Sequence, residues 1–269
     1  MKTLYLSDLD GTLLRSDERL SDFTCCTINS LCERGMLFSY ATARSYRTAS
    51  KLTGRLTARL PLIVYNGVMT VDSHSGAILD ANFFPDTAED LLADLMAHDI
   101  YPIVYAMNDG VERYTHLPER ASRGMRDFIR SRDADPRANP VDDPSALFAG
   151  QKFTITCIDE PEKLIPFYEK YKLRFRSFLH RDIYTGEQWL EFIPLGSSKA
   201  SAAQKLNQRL ACDRLCVFGD GVNDTDLFRA ADEACAVANA VDDLKALATH
   251  IIGTNDEDAV AKWLLEQYK

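Results

Sequence analysis

The sequence has no long hydrophobic run, and this absence is the first restriction on the class of protein. No stretch approaches the roughly 18 consecutive apolar residues of a membrane-spanning helix, and no basic segment followed by an apolar run opens the chain. Positive charge is not in excess either, because 31 Lys and Arg against 40 Asp and Glu give a net charge of −9. We therefore expect a soluble, cytoplasmic protein with no signal peptide, no membrane partner and no nucleic-acid partner.

The cysteine pattern excludes two further classes. The seven cysteines include no Cys-x-x-Cys pair and no spacing typical of a zinc site. We expect most of them to be small core residues in a reducing compartment. The composition, 46% hydrophobic and 26% charged, is that of an ordinary globular protein. The length of 269 residues favours two domains.

Four short apolar runs lie in the outer parts of the chain, and each ends in a polar residue or a tight turn: residues 4–7, 36–41, 61–65 and 215–219. Such runs are typical of strands buried on both faces of a parallel sheet. Helices are predicted at about 21–34, 45–58, 198–210 and 223–230. This alternation predicts a doubly wound, mostly parallel, Rossmann-like α/β core, in which ligands bind beyond the carboxyl ends of the strands.

The middle of the chain has a different pattern. Helices are predicted near 86–98, 119–132 and 161–172, strands near 101–107, 111–117 and 152–159, and two more strands around 175–193. A stretch rich in Pro and Asp at 132–150 predicts a loop. The pattern predicts an inserted α+β domain at 83–186, called the cap domain below, within a core made of 1–82 and 187–269. A cap of this kind is expected to close over the core site and exclude water.

Acidic residues follow two of the predicted core strands. Asp8 and Asp10 lie in DLDGT after the first strand, and Asp220 and Asp224 lie in GDGVND after the last. Side chains two residues apart on an extended chain point the same way, so Asp8 and Asp10 repel each other unless a cation lies nearby. Oxygen ligands without His or Cys favour a hard cation, most commonly magnesium. An acidic turn or a surface loop would explain either motif alone, but their repetition at strand ends favours a site.

Three further polar positions lie at predicted strand ends or helix starts. Thr42, with nearby backbone N–H groups, is suited to hold a phosphate oxygen; a helix N-cap is the alternative. Lys199 lies at a predicted helix start, where a cation opposes the helix dipole, so it fits a site rich in negative charge; a solvated lysine is the alternative. Asn66-Gly67 forms either a simple turn or part of the site.

DLDGT, Thr42 in ATAR, Lys199 and GDGVND together resemble the four ordered motifs of the haloacid dehalogenase-like superfamily. Asn66-Gly67 and the long insertion resemble its Cof-type branch of sugar-phosphate phosphatases. The resemblance spans the whole chain, although Ala43 and Leu227 stand where glycine and methionine are frequent. It implies a magnesium-dependent phosphatase that hydrolyses a small phosphorylated metabolite through an aspartyl-phosphate.

The resemblance implies a role for each acidic residue. Asp8 would be the nucleophile, and Asp10 would act as general acid and then as general base. Asp8 and Asp220 would bind magnesium through their carboxylates. Asp10 would contact the ion through its backbone carbonyl, and Asp224 would support it through water.

The resemblance also implies which residues bind the phosphoryl group and the rest of the substrate. Thr42 and Lys199 would spread the charge of the transferring phosphoryl group and count as catalytic. The implied substrate-binding residues are Thr12, Thr42, Ala43, Arg44, Asn66, Lys199 and Asn223. In the cap, His180, Arg181 and Tyr184 are candidates for substrate contact, and an exposed basic surface is the alternative.

Three other functions are compatible with parts of this pattern. A phosphosugar mutase or phosphotransferase would use the same aspartyl-phosphate and pass it to a sugar. A phospho-acceptor signalling domain also combines acids, a hydroxyl and a lysine, but its acidic pair is usually adjacent and its chain is about half this length. A non-catalytic binding protein on the same scaffold is disfavoured by the intact set of acids and Lys199. No feature of the sequence predicts the oligomeric state.

Overall fold

The protein is described by a computed structural model, which describes residues 1–57, 59–132, 134–181 and 186–268. The chain divides into two compact units: Met1–Ala81 with Ser197–Lys269, and the inserted Asn82–Gly196. The second boundary lies ten residues later than the expected 186/187. The reason is that the strand Gln188–Ile193 pairs with Arg176–Arg181 and Gln151–Ile158, both of which belong to the inserted unit.

The first unit is built on a parallel sheet. Its strands, in order across the sheet, are His250–Ile251, Glu233–Ala236, Arg214–Gly219, Thr3–Ser7 and Leu37–Tyr40. A parallel bridge between Ala41 and Ile63 joins this sheet to Leu62–Val64, which pairs antiparallel with Met69–Val71, itself paired with Ile78–Ala81. The first strand is an interior strand between Arg214–Gly219 and Leu37–Tyr40; Leu4, Leu6 and Ser7 are buried, and Thr3 and Tyr5 are partly buried. The doubly wound α/β fold is therefore confirmed.

The helices of the first unit are Asp22–Glu33, Tyr46–Thr53, Lys199–Arg209, Thr225–Ala230, Asp242–Lys245 and Ala259–Gln267. Ser21 and Ser198 cap two of them, each accepting a hydrogen bond from a backbone N–H in the first turn. The second helix ends at Thr53 rather than near residue 58, because Gly54 follows its last turn. Residue 58 itself lies outside the described residues. In the part of the chain that the structure describes, no helix is long and apolar enough to cross a bilayer.

The inserted unit is an α+β domain with a mostly antiparallel sheet. The strands, in order, are Arg176–Arg181, Gln188–Ile193, Gln151–Ile158, Ile103–Asn108, Val111–His116 and Ala138–Pro140. The helices are Ala88–Ala97, Arg123–Ser131 and Pro161–Tyr171. Asp109 and Gly110, both at positive φ, make the two-residue turn of the central hairpin. The expected loop 132–150 contains the short strand Ala138–Pro140 and a 3₁₀ turn at Pro144–Phe148, because this segment pairs with Val111–His116.

Candidate active site

The first strand continues its ladder into Asp8, whose N–H donates to the Phe218 carbonyl at 2.9 Å. The chain then turns tightly at Gly11, which has a φ of +72°. A Cβ on Gly11 would lie 2.4 Å from the Asp220 carboxylate, so only glycine lets the first strand's loop approach the loop after Arg214–Gly219. The glycine of DLDGT therefore brings two acidic strand ends together.

Lys199 lies at the centre of a buried ionic cluster. Its Nζ donates to Asp8 Oδ1 at 2.5 Å and to Asp224 Oδ1 at 2.7 Å. Lys199 is 1% exposed, Asp8 is 5% exposed and Asp224 is fully buried. Lys199 is the first residue of its helix, where the helix dipole disfavours a cation, and the two carboxylates offset this cost. The interpretation of Lys199 as a solvated surface lysine is wrong.

Asp220 and Asp224 are held by different contacts. Thr12 Oγ1 donates to Asp220 Oδ1 at 2.9 Å, so the hydroxyl of this expected substrate-binding residue is directed at an acid of the cluster. Asp224 Oδ2 accepts from the backbone N–H groups of Asp220 and Gly221, each at 3.2 Å. Asp224 therefore organises the loop that carries Asp220 and also contacts Lys199.

Excess negative charge shifts the pKa values of the cluster. Burial raises the pKa of Asp8 well above its usual range, opposed by Lys199 and reinforced by the carboxylates of Asp224 and Asp220. Burial and the charge of Asp224 likewise raise the pKa of Asp220 to about 6. Burial by itself lowers the pKa of Lys199, but the charges of Asp224 and Asp8 outweigh burial, so its pKa is raised. Three carboxylates thus share one ammonium, which leaves the cluster short of positive charge.

This donor set fits a divalent cation. Asp8, Asp220 and Asp224 each offer a carboxylate oxygen, and these oxygens lie within 4.8 Å of one another. Clustered carboxylates at this spacing are typical ligands of Mg²⁺ or Ca²⁺, and a divalent charge would balance the excess of acid. The Asp10 side chain is not part of this set; it extends to Arg44 instead.

The second strand's loop carries Thr42 and Arg44. The Thr42 side chain is buried, and its Oγ1 accepts from the Arg44 N–H at 3.1 Å. The Asn66 N–H donates to the Thr42 carbonyl at 2.9 Å, which links this loop to the Asn66-Gly67 turn. Ala43, which lies between Thr42 and Arg44 in the sequence, is exposed. The loops after the second and third strands therefore form one connected unit.

The Asn66-Gly67 turn contacts the rest of the site directly. Asn223 Nδ2 donates to Asn66 Oδ1 at 3.1 Å, so two of the expected substrate-binding residues contact each other. Gly67 has a φ of +90°, and a Cβ there would lie 2.0 Å from the Ser198 carbonyl oxygen and 2.7 Å from the Lys199 nitrogen. The turn is thus packed against the start of the helix that carries Lys199, and the interpretation as a simple turn is incomplete.

Arg44 binds Asp10 through two guanidinium nitrogens. Its Nε lies 2.8 Å from Asp10 Oδ2 and its NH2 lies 2.5 Å from Asp10 Oδ1. The same NH2 also donates to Glu18 Oε2 at 2.8 Å. Burial lowers the pKa of Arg44, but the hydrogen bonds to Asp10 and Glu18 outweigh it, so the guanidinium stays charged. The sequence analysis missed Glu18, because no motif marks a residue whose contact depends on loop conformation.

A second residue missed by the sequence analysis is Asn239. Its Nδ2 donates to the Gly11 carbonyl at 2.7 Å, and its Oδ1 accepts from the Asn255 N–H at 3.0 Å. Asn239 therefore ties the loop of the first strand to the C-terminal part of the unit. Of the cap candidates, His180 and Arg181 are exposed at the end of their strand, and Tyr184 lies outside the described residues.

An acidic cluster at the carboxyl edge of a parallel sheet is typical of α/β enzymes that bind a divalent cation, and comparison with known proteins gives the family. The chain belongs to the haloacid dehalogenase-like hydrolase family, whose family model matches residues 5–264. The resemblance found in the sequence motifs is thereby confirmed, and so is the assignment of the chain as a hydrolase.

Characterised relatives match over nearly the whole chain. The chain is 25% identical to the 5-amino-6-(5-phospho-D-ribitylamino)uracil phosphatase YitU of Bacillus subtilis, covering 98% of this chain and 97% of that protein. It is 26% identical to an HMP-PP phosphatase of Serratia proteamaculans, covering 98% and 94%. A haloacid dehalogenase-like hydrolase from Bacteroides thetaiotaomicron shares the fold with a TM-score of 0.80 at 21% identity, covering 100% of each chain.

Proposed function

We propose that this protein is a magnesium-dependent phosphatase that hydrolyses a small phosphorylated metabolite through an aspartyl-phosphate on Asp8. The observation that carries the proposal is the buried cluster in which Lys199 Nζ contacts both Asp8 and Asp224. A carboxylate oxygen of Asp220 lies within 4.8 Å of carboxylate oxygens of these two residues. A buried nucleophilic carboxylate next to an ammonium and a cation site is what attack on an anionic phosphate requires. The names of the two relatives support a phosphatase and differ in substrate, so they do not specify which metabolite is hydrolysed.

In the first step a carboxylate oxygen of Asp8 forms a bond to phosphorus as the bond from phosphorus to the ester oxygen breaks. Asp10 gives its proton to the departing alkoxide. In this proposal Lys199 and Thr42 bind oxygens of the transferring group, and Lys199 reduces the repulsion between Asp8 and the phosphate. When bound at the three acids, magnesium supplies the positive charge that this cluster lacks.

In the second step a water oxygen forms a bond to phosphorus, and Asp10 accepts the proton of that water. The bond between phosphorus and the Asp8 oxygen breaks, which releases phosphate and regenerates the carboxylate.

The test combines one substitution with metal removal. Asp8→Asn keeps the size of the side chain and removes the nucleophile, so release of phosphate from a panel of phosphorylated metabolites should fall to background. Chelation of the parent enzyme should abolish release, and added magnesium should restore it, with calcium a poor substitute. Asp242→Asn, at a fully exposed aspartate, makes the same change of charge and should leave turnover unchanged.

Product analysis separates hydrolysis from transfer. With one sugar phosphate as substrate, a phosphatase yields inorganic phosphate and free sugar, whereas a mutase yields an isomeric sugar phosphate. Full activity after exhaustive chelation, or full activity of Asp8→Asn, would contradict the proposed function.

A further inference from the structure

Glu18 lies outside every motif of the site, yet its carboxylate shares the Arg44 guanidinium with Asp10. Arg44 NH2 is 2.8 Å from Glu18 Oε2 and 2.5 Å from Asp10 Oδ1, while Arg44 Nε is 2.8 Å from Asp10 Oδ2. A guanidinium presents its donors in a rigid plane, so a carboxylate that fixes one nitrogen also fixes the others. Glu18 is therefore placed to set the orientation of Asp10 through Arg44.

The loop that carries Glu18 is closed on itself and tied to the unit. The Glu18 N–H donates to the Arg15 carbonyl at 2.9 Å, and the Arg15 N–H donates to the Arg19 carbonyl at 3.0 Å. Arg15 is ion-paired with Asp258 at 2.6 Å, and the Ser16 N–H and hydroxyl both donate to Asp256. These contacts close the turn that carries Glu18 and anchor the residues before it to the C-terminal part of the unit.

The backbone of Glu18 is in a conformation that its side chain disfavours. Its φ is +60°, in the left-handed region that glycine and asparagine adopt most easily. A glutamate at such a position is destabilising unless the surrounding structure compensates for it. The contact with Arg44 supplies a reason for a glutamate here, because glycine would satisfy the turn and lose the carboxylate.

We propose that Glu18 is a positioning residue that orients the general acid Asp10 through Arg44. The proposal rests on the proposed function, in which Asp10 protonates the leaving alkoxide. Because Glu18 acts through Arg44, its loss leaves the nucleophile Asp8 and the acid cluster intact. Glu18 thus affects the step that needs proton transfer and has little effect on the binding of phosphate.

The test compares Glu18→Gln on two substrates by single-turnover phosphorylation. With a hexose phosphate, whose alkoxide needs a proton, the rate should fall about tenfold, as for other residues that orient a functional group. With a nitrophenyl phosphate, whose leaving group needs no proton, the loss should be smaller, and KM should change little for both. In the Asp10→Asn background the same substitution should cause no further loss, because its effect is transmitted through Asp10.

Three further variants separate the effect of the position from that of the backbone conformation. Asp17→Asn removes one negative charge from the neighbouring exposed residue and should leave both rates unchanged. Glu18→Gly should lose rate on the hexose phosphate at least as much as Glu18→Gln, without a lower melting temperature, since it relieves the backbone. Ala211→Gly, at another exposed position with positive φ, should relieve the backbone without changing either rate.

The outcomes separate this inference from the proposed function. Equal losses on both substrates, an undiminished loss in the Asp10→Asn background, or a faster Glu18→Gln enzyme would each overturn the positioning role while leaving the phosphatase in place. If the parent enzyme releases no phosphate, the proposed function fails first. Crystal structures of the parent and Glu18→Gln then decide the positioning alone: an Asp10 carboxylate that leaves Arg44 in the variant supports it, and one that stays overturns it.

Discussion

The two units of the chain bury different kinds of side chain. The first unit buries charge at its sheet edge, where Asp8, Asp224 and Lys199 are each at most 5% exposed. The core of the inserted unit is a cluster of leucines and aromatic rings, including Leu91, Leu164 and Phe192, that is almost fully buried. The inserted unit also contains the buried Arg137, which forms ion pairs with Asp135 and Glu112 of the same unit.

This difference shows how the two units divide fold stability and chemistry. Apolar burial stabilises a fold without needing one particular side chain, since cores tolerate exchanges that conserve volume. A buried cluster in which carboxylates outnumber the ammonium stabilises little and depends on each member, because an uncompensated charge inside a protein is costly. We therefore expect the charged cluster of the first unit to tolerate substitution less than the apolar core of the inserted unit.

The largest effect is expected from Lys199→Met, which removes the ammonium from the cluster. The loss of one partner of a buried pair typically destabilises a protein by about 3–5 kcal/mol, because the remaining carboxylates stay buried. Urea unfolding should show this loss, and phosphatase turnover should fall at least about 100-fold because a charge that stabilises the transition state is gone.

Lys205→Met is the matched control on the same helix. Its lysine is half-exposed and paired with the exposed Asp80, so its loss should change stability by less than about 1 kcal/mol. Added magnesium should restore part of the stability of Lys199→Met without restoring turnover. Equal stability of Lys199→Met and Lys205→Met would contradict the expectation that the buried charged cluster depends on each of its members.

The core fold and the acid cluster could be predicted because local signals and tertiary position agree there. Each short apolar run is a strand buried on both faces, and parallel strands bring their carboxyl ends to one edge, so Asp8 and Asp220 meet although they are distant in sequence. The helix predicted at 198–210 is observed at Lys199–Arg209, with Ser198 as its N-cap.

The missed elements lack such local signals. The strands Met69–Val71, Ile78–Ala81, Glu233–Ala236 and His250–Ile251 were not predicted, since none is longer than four residues and two of them are largely exposed. The helices Asp242–Lys245 and Ala259–Gln267 were not predicted either. The pairing of these strands depends on neighbours that fold from elsewhere in the chain. Glu18 was missed for the same reason, because its contact with Arg44 depends on a backbone conformation rather than on a motif.

An intermediate effect is expected from Gly67→Ala, compared with Gly110→Ala in the other unit. Both glycines have positive φ, but a Cβ on Gly67 would meet the backbone of Ser198 at 2.0 Å, whereas a Cβ on Gly110 would meet no atom of the described residues within 4 Å. Gly67→Ala should destabilise by about 3 kcal/mol and lower turnover, since the start of the Lys199 helix must shift. Gly110→Ala should destabilise by only about 1 kcal/mol and leave turnover unchanged. Equal losses of stability would mean that the close approach at Gly67 has no consequence.

The smallest effect is expected from His116, a titratable group buried in the inserted unit. Its side chain is 3% exposed, and its Nδ1 has no hydrogen-bond partner among the described residues. Burial lowers the pKa of His116, an effect partly opposed by a backbone hydrogen bond to Tyr114. The unfolded chain then binds the proton more readily than the folded one, so the free energy of unfolding should fall as the pH drops below the ordinary histidine pKa of about 6.5.

His116→Gln removes this proton linkage and should make the inserted unit less sensitive to acid. Hydrogen exchange of amides in Val111–His116, measured at about pH 7.5 and about pH 5.5, reports the stability of this strand. After correction for the intrinsic pH dependence of exchange, protection should fall on acidification in the parent and fall less in the variant. An equal fall in both proteins would show that the acid sensitivity of this strand has a source other than His116.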